Sequence, residues 1–75
     1  MTSEEFRSVR EKLGMTQDQF AELLGMSGKR AISNIETGLR NPGSLTVIML
    51  RILDSLPKRK AEELVELMLK HGKDK

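Results

Sequence analysis

The strongest constraint on the fold is a helix-start pattern that occurs twice near the N-terminus. A Thr-x-x-Glu or Thr-x-x-Gln sequence stands at Thr2–Glu5 and again at Thr16–Gln19. In such a capping box, the hydroxyl and the second polar side chain each accept a hydrogen bond from a free backbone N–H at the start of a helix. Apolar residues at helical spacing follow each box, and a glycine comes next, at Gly14 and at Gly25. These signals predict two short helices.

Similar start and stop signals predict three more helices in the rest of the chain. Ser27, Ser44 and Pro57 are suitable residues for the starts of a third, a fourth and a fifth helix. The predicted ends are Gly38 for the third, about Ser55 for the fourth and about Lys70 for the fifth. Nothing in the sequence alternates at period two for long, so strands are not expected. The sequence therefore predicts an all-α fold of five helices.

The length of the chain limits what such a fold can do. Its 75 residues make one domain with a thin core, because a chain this short buries only about 60% of the surface that it exposes when unfolded. The sequence offers no nucleophile–base pair, carboxylate pair or metal-ligand cluster. We therefore expect no enzyme activity, no metal and no cofactor. The chain also has no cysteine and no apolar run long enough to span a bilayer, which favours a cytoplasmic protein without a membrane partner.

The distribution of charge is more informative than its total. The formal net charge is +2, which identifies no partner by itself. Residues 27–43, however, carry Lys29, Arg30 and Arg40 against a single acid, Glu36. This segment is therefore locally basic. A solvated loop would give the same charge count.

The third predicted helix follows the second after a very short turn, Gly25-Met26-Ser27. Two short helices joined in this way can place one helix in the major groove of DNA, although any small helical bundle has short turns. At about 100° per residue, Gly28, Ala31, Ile32, Ile35 and Leu39 share one side of the third helix, and Lys29, Arg30, Ser33, Asn34 and Thr37 share the other. The polar side has no carboxylate, and its side chains are of types that bind bases or phosphates. An ordinary solvated helix face is the alternative.

The motifs in this region resemble those of a known family. Residues 15–25 read MTQDQFAELLG, residues 32–38 read ISNIETG, and Asn41-Pro42 follow. Together with Arg10 before the first glycine, this combination resembles the helix-turn-helix family of lambdoid phage repressors and bacterial Xre-type regulators. The resemblance runs from about Phe6 to Leu56. It implies a five-helix, lambda-repressor-like domain that binds double-stranded DNA in a sequence-specific manner.

The resemblance also implies roles for individual residues. Gln17 matches a phosphate-binding glutamine at the start of the second helix, where the free amides and the helix dipole favour an anion. Arg10 and Glu36 match a buried ion pair that ties the third helix to the first. The residues expected to contact DNA are Gln17, Ser27, Lys29, Arg30, Ser33, Asn34, Thr37, Arg40 and Asn41.

One departure from the family pattern lies in the turn. Six residues separate Gly25 from Ile32, one more than the commonest family spacing. We expect the extra residue to lengthen either the turn or the first turn of the third helix, with Gly28 absorbing the strain. The register of Lys29 and Arg30 is therefore open, and either side chain can meet a phosphate instead of a base.

The second half of the chain has more apolar surface than a core of this size is expected to cover. The fourth helix is apolar nearly all round, and the fifth carries a wide apolar stripe. Surplus apolar surface often marks a protein interface, so we expect a homodimer through Leu53, Leu56, Leu64, Leu67 and Met68. The alternative is that the fifth helix packs across its own domain and leaves Leu67 or Leu69 singly exposed.

These observations lead to a functional prediction with two alternatives. We expect residues 1–75 to form one helix-turn-helix domain, with a family-like core at 6–56 and a dimerising C-terminal helix and tail at 57–75. The predicted function is that of a homodimeric repressor that reads the major groove with the third helix. An antitoxin that binds both DNA and a partner toxin is one alternative, and a protein-interaction module of the same fold is the other.

Overall fold

Residues 1–72 form five helices joined by short connections. A computed structural model describes residues 1–72, so the predicted tail at residues 73–75 lies outside the described residues. The helices are α1 (Ser3–Lys12), α2 (Gln17–Leu23), α3 (Lys29–Glu36), α4 (Ser44–Ser55) and α5 (Lys58–Gly72). Residues 1–72 contain no strand. The predicted all-α, lambda-repressor-like fold is confirmed.

Both predicted capping boxes form at the starts of α1 and α2. The Glu5 backbone N–H donates to the Thr2 hydroxyl at 3.1 Å, and the Thr2 N–H donates to the Glu5 carboxylate at 2.9 Å. Thr16 and Gln19 make the same reciprocal pair at 3.1 and 2.9 Å. These boxes depend only on residues three apart in the chain, which is why the sequence predicts them correctly.

The two predicted serine caps are wrong. The N-cap residue of α3 is Gly28 and that of α4 is Gly43, and neither helix start has a side-chain cap hydrogen bond. Ser27 lies in the turn before α3, and Ser44 is already the first residue of α4. Since a capping oxygen must stand at the N-cap position to reach the free amides of the first turn, a shift of one residue removes the interaction.

The core is built from all five helices. The rings of Phe6 and Phe20 meet edge to face, with their centroids 5.2 Å apart, and join α1 to α2. Four side chains are fully buried, and they come from α1, α2, α3 and α4: Phe6, Phe20, Ile32 and Leu50. Helix α3 contacts both α1 and α2. The third helix is therefore held by its apolar side, and its opposite side faces outward.

Several apolar predictions need correction. Leu39, predicted on the inner side of the third helix, is mostly exposed because the helix ends at Glu36 and Leu39 lies in the following loop. Leu53, predicted at a dimer interface, is buried in the core of its own domain. Leu56, Leu64 and Met68 are partly buried and pack against the same core. Only Leu67 of that predicted interface is exposed, as the alternative arrangement of the fifth helix expects.

Helix α5 covers the rest of the bundle. It contacts α2 and α4, and its Ala61 is buried in the common core. It begins at Lys58, so Pro57 lies one residue before the helix and not in its first turn as predicted, and it extends to Gly72, slightly beyond the predicted end. None of the helices within residues 1–72 is both long and apolar enough to cross a membrane.

Candidate nucleic-acid interface

The turn between α2 and α3 sets the direction of the third helix. Gly25 adopts a φ of 69°, in the left-handed region that favours glycine. The next residue turns back onto α2, because the Met26 backbone N–H donates to the Ala21 carbonyl at 2.9 Å. The Met26 side chain packs against the core. This turn carries the chain from the end of α2 across to the start of α3.

The structure shows where α3 begins, which the unusual spacing between Gly25 and Ile32 left open. Residues 24–28 connect the two helices, and Lys29 is the first residue of α3. Gly28 has a φ of 168° and a ψ of −175°, an extended conformation that any residue adopts. The prediction that Gly28 absorbs strain is therefore wrong. Lys29 and Arg30 lie in the first turn of the helix, where both side chains are exposed.

The two sides of α3 differ in burial as the sequence predicts. Ile32 and Ile35 are buried in the core. On the other side Lys29, Arg30 and Thr37 are exposed, while Ser33 and Asn34 are half-buried. Within residues 1–72, neither the Ser33 nor the Asn34 side chain makes a hydrogen bond to another group. Their polar groups therefore remain available to a ligand on this side of the helix.

Thr37 has a structural role at the end of α3. Its hydroxyl donates to the Ser33 carbonyl at 2.9 Å and lies 3.4 Å from the Asn34 carbonyl. The hydroxyl proton is thus used inside the helix, and the oxygen is left as an acceptor. Because phosphate oxygens are also acceptors, Thr37 binds a phosphate only if this internal bond is broken.

The loop after α3 keeps Arg40 and Asn41 beside the helix. Gly38 has a φ of 83°, which reverses the chain direction at the end of α3. The Arg40 backbone N–H then donates to the Asn34 carbonyl at 3.1 Å. Both Arg40 and Asn41 have exposed side chains. A third cation is therefore held next to the last turn of α3.

An ion pair between α1 and α3 neutralises Glu36. The Arg10 Nε donates to Glu36 Oε2 at 2.7 Å, and its Nη2 donates to Oε1 at 3.3 Å. The remaining Nη1 donates to the Met15 carbonyl at 2.9 Å. The hydrogen bonds to the Glu36 carboxylate, together with its negative charge, raise the pKa of the Arg10 guanidinium above its usual value. The predicted ion pair is present, although it is largely rather than completely buried, with 14% and 7% of the two side chains exposed.

Gln17 joins the same network from the start of α2. Its Nε2 donates to Glu36 Oε1 at 3.2 Å, and the residue is half-buried. One amide hydrogen is therefore engaged with Glu36, and the other remains free to donate to a phosphate. Sequence reasoning missed this hydrogen bond, since no local spacing relates residues 17 and 36. It fixes the orientation of the side chain predicted to bind phosphate.

The charges around α3 leave a cationic surface. Glu36 is the only acid in residues 27–43, and it is bound by Arg10 and Gln17. The ion pairs within residues 1–72 do not include Lys29, Arg30 or Arg40. The first turn of α3 contains no acidic residue, so the positive end of its dipole adds to these charges. The outward side of α3 and the following loop therefore favour an anionic partner.

Another ion pair joins two helices away from this surface, and sequence reasoning missed it. Lys12 Nζ lies 2.9 Å from Asp54 Oδ1 and links the end of α1 to the end of α4. Both side chains are largely exposed. Within residues 1–72 there is no group of three or more His, Cys, Asp or Glu side chains that could hold a metal ion.

Five helices, a short turn between the second and the third, and a cationic outward side on the third define a helix-turn-helix domain. The chain belongs to the Xre/lambda repressor-like helix-turn-helix family, whose model matches residues 6–51. The protein is therefore a DNA-binding helix-turn-helix transcription regulator. The matched segment includes every residue predicted to contact DNA. No curated protein and no solved structure gives a significant match to the chain.

Proposed function

We propose that the protein is a repressor that binds double-stranded DNA as a homodimer and reads the major groove with α3. The observation that carries this proposal is the outward side of α3, where cationic and hydrogen-bonding side chains stand together and the one nearby acid is neutralised by Arg10. Repression requires only that the bound domain occupies DNA needed by the transcription machinery. In this proposal residues 1–75 act as a single domain.

The half-buried residues of α3 are the best candidates for contacts with base edges. Asn34 suits the N6 and N7 atoms of adenine, and Ser33 can donate to or accept from either base or phosphate. Both lie mid-helix with side chains that make no internal hydrogen bond in the described chain. Flanking cations that bind phosphates would fix the position of the domain on the duplex, and contacts from Ser33 and Asn34 to base edges would supply the specificity.

The exposed groups around them are better suited to the phosphate backbone. Lys29 and Arg30 are at the start of α3, so each can reach either a guanine edge or a phosphate. Arg40 and Asn41 flank the other end of the helix, and the free N–H of the Gln17 amide lies at the start of α2. Ser27, in the exposed turn, completes the proposed contact set.

Selection of bound sites from random duplexes at physiological salt tests this proposal. We expect an enriched palindrome whose half-sites lie about 34 Å apart, the spacing of one helical turn. Affinity should fall steeply with salt, because cations at the interface release counterions from DNA. Recovery of no enriched sequence, together with salt-independent affinity, would contradict the proposal and favour the interaction module.

A charge-matched pair of variants sharpens the test. Arg30→Ala should weaken binding and lower the salt slope by about one unit. Arg59→Ala removes the same charge from α5 and should leave both quantities nearly unchanged. Equal effects from the two variants would show that total charge, and not the α3 surface, governs binding. No contact within the described residues favours the antitoxin alternative, and co-purification with a toxin would be its direct test.

A further inference from the structure

Helices α1 and α5 leave a cavity between them. Helix α1 packs against α3 and α4, whereas α5 packs against α2 and α4, and within residues 1–72 the two helices do not pack closely against each other. The cavity has a volume of about 770 Å³ and is partly open to solvent. Its walls are the end of α1, the end of α4, the part of α5 from Lys58 to Glu66, and the connections that follow α1 and α4. We call this space the α1–α5 cavity.

The size and the lining of the α1–α5 cavity suit a small molecule. Sites for small molecules have volumes of about 300–1,000 Å³ and mainly apolar walls with a few polar groups. A stable protein interface involves roughly 20–30 residues on each side, which is more than line this cavity. The apolar part of the wall includes buried core residues and half-buried neighbours: Val9, Leu13, Met15, Leu53, Ala61 and Val65.

The charged residues around the cavity leave one negative charge in excess. They are Lys12, Asp54, Lys58, Glu62 and Glu66. Lys12 and Asp54 neutralise each other, with Nζ and Oδ1 2.9 Å apart. The ion pairs within residues 1–72 include none of the other three. One cation therefore stands against two carboxylates, and an occupant with a single positive charge would balance them.

Glu62 and Glu66 are placed so that one cation can interact with both. They are four residues apart in α5 and therefore lie on the same side of the helix, where like charges repel. A cation bound between them relieves this repulsion. Lys58 lies one turn before Glu62, but about 12 Å along the helix axis from Glu66. Glu66 is therefore the acid that the charge of Lys58 compensates least.

We propose that the α1–α5 cavity binds a small molecule with an apolar body and one positive charge, such as an alkyl or aryl amine. The apolar body fills the space between α1 and α5, and the ammonium group lies against Glu62 and Glu66. The residues that line the cavity belong to neither α2 nor α3. The site is therefore separate from the surface proposed to bind DNA, and it does not depend on that function.

Three probes with one apolar chain and different charges test the proposal. Octylammonium is positive, octanoate is negative and octanol is neutral, and each is titrated into the full chain below the concentration at which it aggregates. Backbone NMR shifts should map octylammonium to the cavity, for example to Gly14 and Ala61. Its affinity should exceed that of octanoate by about tenfold, with octanol between them, because each exposed charge contact contributes a few-fold.

The charge of the whole protein makes this comparison stringent. The chain carries a formal net charge of +2, so non-specific attraction favours octanoate and not octylammonium. A preference for octylammonium therefore has to come from the local carboxylates. Equal affinities for the three probes, tighter binding of octanoate, or shifts that map outside the cavity would each overturn the proposal.

A charge-matched pair of variants on α5 tests the site itself. Glu66→Gln should lower the affinity for octylammonium about threefold and leave that for octanol unchanged. Glu63→Gln removes the same charge from an exposed position that does not line the cavity, and it should change neither affinity. Equal effects of the two variants would show that total charge governs binding and would overturn the proposal. Val65→Trp, which fills the cavity, should prevent binding of all three probes, and unchanged binding would place them elsewhere.

Discussion

The Arg10–Glu36 ion pair predicts a large difference between two similar substitutions on α1. Arg10→Met removes one partner of a pair whose side chains are 14% and 7% exposed, and it leaves the Glu36 carboxylate without its guanidinium. Lys12→Met breaks a pair of comparable length, 2.9 Å, whose side chains are 66% and 44% exposed. Both changes replace a cation with the same uncharged side chain. The two pairs differ in burial, and Arg10→Met also removes the hydrogen bond from Nη1 to the Met15 carbonyl.

The expected magnitudes follow from that difference. Breaking a buried pair costs roughly 3–5 kcal/mol. Because Gln17 still donates to Glu36 after the change, we expect the lower end of the range, about 3 kcal/mol, for Arg10→Met. Solvent screening limits an exposed pair to below about 1 kcal/mol, which is the expectation for Lys12→Met. Since every 1.4 kcal/mol is about tenfold, Arg10→Met should reduce the folding equilibrium constant more than about a hundredfold.

Urea unfolding followed by far-ultraviolet circular dichroism measures both changes. The denaturation midpoint should fall strongly for Arg10→Met and slightly for Lys12→Met, with unchanged slopes. Adding Glu36→Leu to Arg10→Met should recover part of the loss, because no unpaired charge then remains buried. Equal losses from the two single variants, or no recovery in the double variant, would refute the reasoning that burial sets the importance of this pair.

Three further predictions test the contact residues and the helix ends. Asn34→Ala should relax specificity more than it lowers non-specific affinity, whereas Gln17→Ala should weaken binding to all sequences. Competition between enriched and random duplexes measures both effects. Equal loss of affinity for all sequences in Asn34→Ala would exclude a base contact by Asn34. In thermal melts, Gly25→Ala should lower the free energy of unfolding by about 1–2 kcal/mol, because Gly25 has a positive φ. Gly28→Ala should change it by less than about 1 kcal/mol, because Gly28 has an extended backbone and open space around its Cα. Hydrogen bonds with Thr2 in the α1 cap lower the pKa of the Glu5 carboxyl. The stability that the ionised carboxylate contributes is therefore present above the ordinary carboxyl pKa and is lost as the pH falls through the lowered value. A carboxyl titration by NMR with an ordinary midpoint would contradict this prediction.

The local part of the candidate site could be predicted from the sequence. The division of α3 into an apolar and a polar side depends on helical periodicity, and burial of Ile32 and Ile35 agrees with it. The Arg10–Glu36 pair was expected from family motifs, because no local spacing relates residues so far apart. The bond from Gln17 to Glu36 was not expected on either ground. It arises only when α1, α2 and α3 meet around one carboxylate.

The errors have a common physical cause. Ser27 and Ser44 are good N-cap residues by type, but the N-cap positions of α3 and α4 are occupied by Gly28 and Gly43. Local sequence signals do not define a helix start to a single residue. On α4, which is apolar nearly all round, periodicity cannot say which side meets the core. The structure buries Leu53 and leaves Leu45, Ile48 and Ile52 exposed.

The sequence by itself determined the number of helices, the two N-terminal capping boxes and the cationic character of the α3 region. These features arise from hydrogen bonds, periodicity and charge within a few residues of chain, which need no knowledge of the neighbouring helices. Only the tertiary structure decided which apolar residues remain exposed and how Gln17 is oriented beside Glu36. Those outcomes depend on which helix faces meet, and that choice is made by packing all five helices into one core.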